Sequence, residues 1–281
     1  MIYRKFGNTG FRCSAIGMGT YFDFGWILSA RLFHRFSNRK GIMEALKTGL
    51  DAGINLIDIA EIYQTEGLVG EAISGYDRES LFISSKVWFT HLRREGIRRA
   101  CESSLRRLGT RYIDLYMVHI PSPSVPLAET MGAMEELVEE GKIRHIGISN
   151  FSMERMVRAS SELKKHPLSA TQLHYNVMHR DVEKDILPYC ERNSIALMAY
   201  YPIGHGRLAS GISQTQLQAL YSRHSLRTPA QLALSYLISK SEAVFPIPRA
   251  RNPLHVAENA EIDSLLSEDE MASVISAFGM R

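Results

Sequence analysis

The chain has little cysteine. Cys13, Cys101 and Cys190 are three residues in 281, odd in number and far apart. That pattern excludes a disulfide framework and a CxxC metal or redox motif, and it makes a reducing cytoplasm the expected location. Nowhere do 18 uncharged apolar residues run together, and the amino terminus from Met1 to Gly7 has no apolar stretch behind its charges, so neither a membrane span nor an export signal is expected. Charge of one sign is lacking too. Thirty-three Lys and Arg against 30 Asp and Glu leave a net charge of +3, which gives no broad field for nucleic acid. The histidines show no HxxxH or HExxH spacing, so no metal site is expected. An apolar fraction of 45% with 22% charged residues excludes wholesale disorder, a collagen-like rod and a coiled coil.

What remains is a chain long enough for one large core, without an interdomain linker, so residues 1–281 are expected to form a single domain. Short β-branched runs alternate with amphipathic stretches, the rhythm of repeated βα units on a parallel sheet. Strands are predicted at Ala15–Met18, Asn55–Asp58, Phe82–Lys86, Ile113–His119, His145–Ser149, Ala170–His174, Ala196–Tyr200 and Val244–Ile247. Between them, Ile97, Cys101, Leu105 and Leu108 share one helical face before Gly109, and Leu127, Met131, Met134 and Val138 repeat the spacing before Gly141. Eight strands with intervening helices fit an α/β (β/α)8 TIM barrel, whereas a doubly wound nucleotide fold requires an early GxGxxG that is absent. Tyr3 to Arg12 reads as an N-terminal β-hairpin turning at Asn8-Thr9-Gly10 over the bottom of the barrel.

In such a barrel the chemistry sits where strands run out into the following loops. Asp58, Lys86, His119, Asn150, Gln172 and Tyr200 occupy those ends, roughly one βα unit apart. Singly, each has an ordinary structural use: Asp58 or Asn150 as a cap, Lys86 snorkelling, His119 as a satisfied core histidine. Together they predict a polar mouth. Tyr63, five residues past Asp58, can reach it. A phenol is a poor acid at neutral pH, but a neighbouring ammonium stabilises the phenolate, so Lys86 is expected to ease loss of the Tyr63 proton. Asp58 would hold the lysine, and His119 would donate to an oxygen acquiring negative charge.

Over nearly its whole length the chain resembles the aldo-keto reductase family. The matching segments are Gly17-Met18-Gly19-Thr20, Asp58 through Gly70, Ser85-Lys86-Val87-Trp88, Tyr116 through His119, Gly141 through Phe151, Gln172 through Asn176, Ala199 through Gly204, and Pro248 through Asn259. The resemblance implies that Asp58, Tyr63, Lys86 and His119 are the catalytic tetrad and that NADPH or NADP+ is the cofactor, with NADH the less favoured choice. It implies cofactor contacts from Gly19, Thr20, Asp58, Ser149, Asn150, Gln172, Tyr200, Gly204, Leu208, His255, Glu258 and Asn259. Asn252 can cap a helix with Pro253 in its first turn, and Arg249 and Arg251 stand before it, a setting for the cofactor's 2′-phosphate or for a merely solvated charge pair.

Departures from the family pattern bear on details. Arg249-Ala250 stands where Lys-Ser is common, His255 where Arg is, Tyr201 where Ser is, and Ile120 where an aromatic residue is frequent. Only 22 residues follow Asn259, most of them one helix opened by a capping box at Ser267 and Glu270, which leaves little for a carboxyl-terminal lid. An open mouth lined by Tyr21, Trp88, His119 and Phe24 or Trp26 is expected to accept several small-molecule aldehydes or ketones. Two other functions fit parts of the pattern: a lyase using Lys86 as a Schiff base, and an NADP-binding regulatory subunit resembling potassium-channel β subunits.

Overall fold

Eight parallel strands are hydrogen-bonded in chain order. The computed structural model describes residues 1–33, 38–204 and 214–279. A short antiparallel hairpin, β1 (Tyr3–Lys5) and β2 (Arg12–Ser14), comes first. The parallel strands follow as β3 (Met18–Gly19), β4 (Leu56–Asp58), β5 (Phe82–Val87), β6 (Ile113–Val118), β7 (Ile143–Ser149), β8 (Leu168–His174), β9 (Ala196–Tyr200) and β10 (Val244–Pro246). Buried on both faces, β5 and β6 have no polar-out alternation, as parallel strands between a core and a ring of helices require. The sheet closes on itself where Gly17 N donates to Pro246 O (2.9 Å), Gly19 N to Pro248 O (2.8 Å) and Ala250 N to Gly19 O (2.9 Å). The predicted barrel is therefore present. Its first strand lies later and is shorter than the sequence pattern, because only Met18–Gly19 keeps parallel register with β4.

The helices include α1 (Phe24–Phe33), α2 (Arg39–Asp51), α3 (Glu66–Ile73), α4 (Arg94–Leu108), α5 (Leu127–Glu139) and α6 (Met153–Glu162). They continue with α7 (Ile186–Arg192), α8 (Gln214–Arg223), α9 (Pro229–Lys240), α10 (Pro253–Ala260) and α11 (Glu268–Gly279). Gly109 ends α4 with a left-handed φ of 64°, the conformation for which glycine carries no steric cost.

The bottom of the barrel is plugged from the hairpin. Phe6, fully buried, lies 4.6 Å from Phe82 and 4.7 Å from Phe245 between ring centroids. Gly7 lets the hairpin come this close: its φ is 53°, and a Cβ there would lie 2.6 Å from Ser169 O. With Phe6 and Cys13, the barrel interior holds Leu56, Phe82, Leu115, Met117, Ala170, Ala196, Met198, Phe245 and Ile247. Strand side chains repeat every two residues, so the same inward rows continue to Asp58, to Ser84 and Lys86, to His119, to Gln172 and to Tyr200. The rows turn from apolar to polar at one level, and that level is the site.

The expected capping box opens α11. Ser267 N donates to Glu270 Oε2 (2.9 Å), and Glu270 N donates to Ser267 Oγ (3.4 Å). Arg223 (2.7 Å) and His224 (3.1 Å) also meet the Glu270 carboxylate, tying α8 to α11. These contacts, the Ser267 amide foremost, hold the carboxyl down at about 2 from an ordinary 4.5. A depressed carboxylate stabilises the fold fully above its unfolded value and ceases to as pH falls through its folded value. The difference in Tm between wild type and Glu270→Gln should therefore be largest at neutral pH and shrink steadily below pH 4.5; a difference independent of pH would refute this role.

Candidate active site

At the centre of the mouth is a dry ion pair. Lys86 is fully buried at the end of β5, and its Nζ donates to Asp58 Oδ1 (2.9 Å), Asp58 Oδ2 (2.7 Å) and Ile59 O (2.8 Å). Those three acceptors use all three ammonium protons. Asp58, at the end of β4, also accepts from Ser84 Oγ (3.0 Å) and Gln172 Nε2 (2.9 Å). Burial lowers the Lys86 pKa from its usual value, opposed by the carboxylate beside it. An ammonium in this place is sustained by its partner and not by water.

Tyr63 lies on a single 3-10 turn, Glu61–Tyr63, directly after β4. Its ring centroid is 5.0 Å from Lys86 Nζ, and its hydroxyl is 3.4 Å from His119 Nε2. Burial, and next the Asp58 charge, push the Tyr63 phenol well above its ordinary range, so the resting side chain is a firmly protonated phenol. His119 is pushed down to about 3 by burial and by Lys86, which leaves a neutral imidazole, and its Nδ1 is buried without a hydrogen-bond partner.

Around this core the strand ends are stitched together. Asn150, in the left-handed region with φ 63°, donates through Nδ2 to His119 O (3.0 Å) and Ser149 Oγ (3.1 Å) and accepts from the Tyr200 hydroxyl at 2.9 Å. Asparagine is among the few residues that adopt this conformation at modest cost. One face of Tyr200 is covered by His174, stacked at 5.6 Å, which in turn stacks on His179 at 4.2 Å. Thr20 is committed to Asp58 O (3.1 Å) and Thr65 Oγ1 (2.9 Å). Tyr21 packs edge-on against Tyr63 at 5.2 Å and Trp88 against His119 at 5.1 Å, so both aromatics expected at the mouth are there. Trp26 is turned away from it. Phe24 is 71% exposed, whereas Trp26 is buried behind Tyr63 and donates Nε1 to Tyr63 O at 3.2 Å.

The segment beyond β10 has the predicted helix start: Asn252 Oδ1 accepts from Leu254 N (3.0 Å), and Pro253 occupies the first turn of α10. Both arginines turn toward the loop after β3. Arg249 donates to Phe22 O, and Arg251 pairs with Asp23 at 3.4 Å. His255 is exposed, Glu258 half-buried and Asn259 buried along α10. Gly19 carries the barrel-closing bonds, and Gly204 takes a φ of 55° in the turn after β9. Leu208 lies outside the described residues.

Sequence reasoning missed three supports. Ser84 shares the inward row of Lys86, a signal legible from the two-residue repeat. Glu61 accepts from Trp88 N (2.7 Å) and pairs with His91 (2.9 Å), bracing the Tyr63 turn against the loop after β5. Gln172 serves Asp58 directly, whereas the sequence pointed only to a cofactor contact.

With this geometry in hand, comparison with known proteins is decisive. The model of the "Aldo/keto reductase family" matches residues 15–277. The chain belongs to the aldo/keto reductase family. Among relatives of this aldo/keto reductase, methylglyoxal reductase YeaE of Escherichia coli (strain K12) is 35% identical over 270 residues, covering 94% of this chain and 90% of its own length. An aldo-keto reductase from Klebsiella pneumoniae solved in complex with NADPH superposes with a TM-score of 0.85 at 35% identity, over 99% of this chain and 96% of that one. A thermostable aldo-keto reductase solved with the inhibitor epalrestat gives 0.86 at 37% identity, over 99% and 100%.

Removing Asp58 should expose how far the barrel's interior depends on it. Asp58→Ala leaves a buried ammonium without its counter-ion, and a loss of about 3–5 kcal/mol is expected in denaturant unfolding. A loss below about 1 kcal/mol, the scale of an exposed ion pair, would contradict the assignment.

Proposed function

We propose that this aldo/keto reductase uses NADPH to reduce aldehydes or ketones to alcohols, with Tyr63 as the general acid. The observation that carries the reading is the Tyr63 hydroxyl 3.4 Å from a neutral His119, beside the buried Lys86–Asp58 pair. The residues present fit a nicotinamide dinucleotide. Tyr200 offers an aromatic ring, Ser149, Asn150 and Gln172 offer short polar groups at the same level, and Arg249 and Arg251 stand at the start of α10 for a phosphate. Bound there, the cofactor supplies a hydride to the carbonyl carbon.

The chain's own part is to hold the carbonyl oxygen and deliver a proton to it. His119, neutral at working pH, donates from Nε2–H to that oxygen, and its unpartnered Nδ1 is consistent with this tautomer. Tyr63 keeps its proton until negative charge develops on the oxygen. An alkoxide is a much stronger base than a phenolate, so even a phenol of raised pKa transfers its proton once the alkoxide forms. Lys86 steadies the phenolate that results, and Asp58 keeps Lys86 charged and in place. The Schiff-base alternative is disfavoured by the same geometry, since Lys86 has no free lone pair while it serves three acceptors. All three cysteines are buried thiols, which suits a reducing cytoplasm.

Fluorescence titration with NADPH and NADH, followed by a panel of carbonyl substrates, tests the reading. NADPH is expected to bind more tightly, and dissimilar aldehydes or ketones to be turned over. Tyr63→Phe should lower turnover by about 10²–10⁴-fold with NADPH affinity retained. A variant that keeps most of its rate would remove Tyr63 from the role.

A further inference from the structure

Behind Tyr200 two histidines extend its ring into a stack. His174 lies parallel to Tyr200, with ring centroids 5.6 Å apart and 8° between the planes, and His179 follows His174 at 4.2 Å and 24°. Near-parallel planes at the Tyr200–His174 spacing are the mark of offset stacking. The stack has an outer and an inner end. His179 is exposed, His174 and Tyr200 are half-buried, and the Tyr200 hydroxyl reaches across the end of β8 to Asn150. Tyr201 closes the stack from the side, edge-on to His174 at 5.7 Å and to Tyr200 at 5.2 Å.

The state of His174 follows from buried Asn176. The Asn176 carbonyl accepts from Met178 N and His179 N, both at 3.0 Å, and Nδ2 donates to Tyr201 O at 3.0 Å, which fixes the orientation of the amide. The same Nδ2 stands 3.2 Å from His174 Nε2, so that ring nitrogen is the acceptor. His174 is therefore a neutral imidazole with its proton on Nδ1, anchored to an amide that the surrounding backbone holds. Beside the stack opens a cavity of about 500 Å³ whose lining includes Asn150, Leu173, His174, Val182 and Tyr200. Without a flat ring at position 174, Tyr200 has room to tilt.

We propose that His174 is a positioning residue: its ring, set by Asn176 and backed by His179, holds Tyr200 flat against the nicotinamide of bound NADPH. The inference rests on the proposed function, in which the face of Tyr200 turned away from His174 receives that ring. A tilted Tyr200 leaves the nicotinamide loosely held and its alignment with the carbonyl carbon degraded, while the phosphate end at Arg249 and α10 is untouched.

Two substitutions separate the ring from its hydrogen bond. His174→Phe keeps a flat ring and removes the acceptor for Asn176, whereas His174→Gln keeps an acceptor and removes the ring. The readouts are the fluorescence anisotropy of bound NADPH, NADPH affinity by titration, and single-turnover hydride transfer to an aldehyde. His174→Gln should lower the anisotropy and slow hydride transfer by roughly 3–10-fold, the scale of one aromatic pair, with a much smaller change in NADPH affinity. His174→Phe should stay near wild type in all three. Wild-type anisotropy and rate in His174→Gln, or a Phe variant impaired as much as the Gln one, would overturn the positioning role while wild-type binding and turnover keep the functional reading intact. Failure of the wild type to bind NADPH would overturn both.

Discussion

The Lys86–Asp58 ion pair is the constraint on which the site depends. A charge fully removed from water persists only with a counter-charge and a full set of hydrogen bonds, and this pair has both: Lys86 donates to Asp58 and Ile59, and Asp58 accepts from Ser84 and Gln172. The network links β4, β5 and β8, strands that are not all neighbours in the sheet. Tyr63, on the turn after β4, and His119, just past β6, are placed against it. A buried pair is weak evidence for stability as such, since apolar residues of similar volume often do as well. It stands at the mouth of a barrel whose lower layers are apolar, where the proposed mechanism uses it.

The same two-residue repeat builds the core and the site. Phe82, Ser84 and Lys86 are successive inward positions of one strand, and Leu115 and Met117 lead to His119 in another. Below, Phe6 from the hairpin fills the barrel against Phe82 and Phe245, which leaves a solid floor under the charged layer. Above, Trp26 holds the Tyr63 carbonyl from behind and Glu61 ties its turn to Trp88. Tyr63 thus sits on a short turn fixed from several sides.

Most of this was legible in the sequence because parallel strands buried on both faces read as continuous apolar runs, and their polar terminal residues stand out against them. All eight strands, the hairpin, the α11 capping box and the convergence of Asp58, Lys86, His119 and Tyr63 follow from such local patterns. Boundaries were less legible: β3 keeps only the two residues that stay in register with β4. Interactions that need barrel closure were not legible at all. Arg249 and Arg251 meet the loop at Phe22 and Asp23, more than 200 positions away, and Trp26 turns inward where the pattern allowed an open rim. The commitments of Lys86 were hidden for a related reason: residue types give the signs of nearby charges, but they do not reveal that Lys86 donates to Asp58 and Ile59, or that Tyr63 is buried.

On the proposed mechanism, the charge of Lys86, kept in place by Asp58, steadies Tyr63 as it loses its proton. Single-turnover oxidation of bound NADPH by an aldehyde, compared between wild type and Lys86→Met, tests that claim most directly. Hydride transfer should be slowed by about 10²-fold or more in a variant that still folds and binds NADPH; hydride transfer at the wild-type rate in that folded, NADPH-bound variant would contradict this role of Lys86.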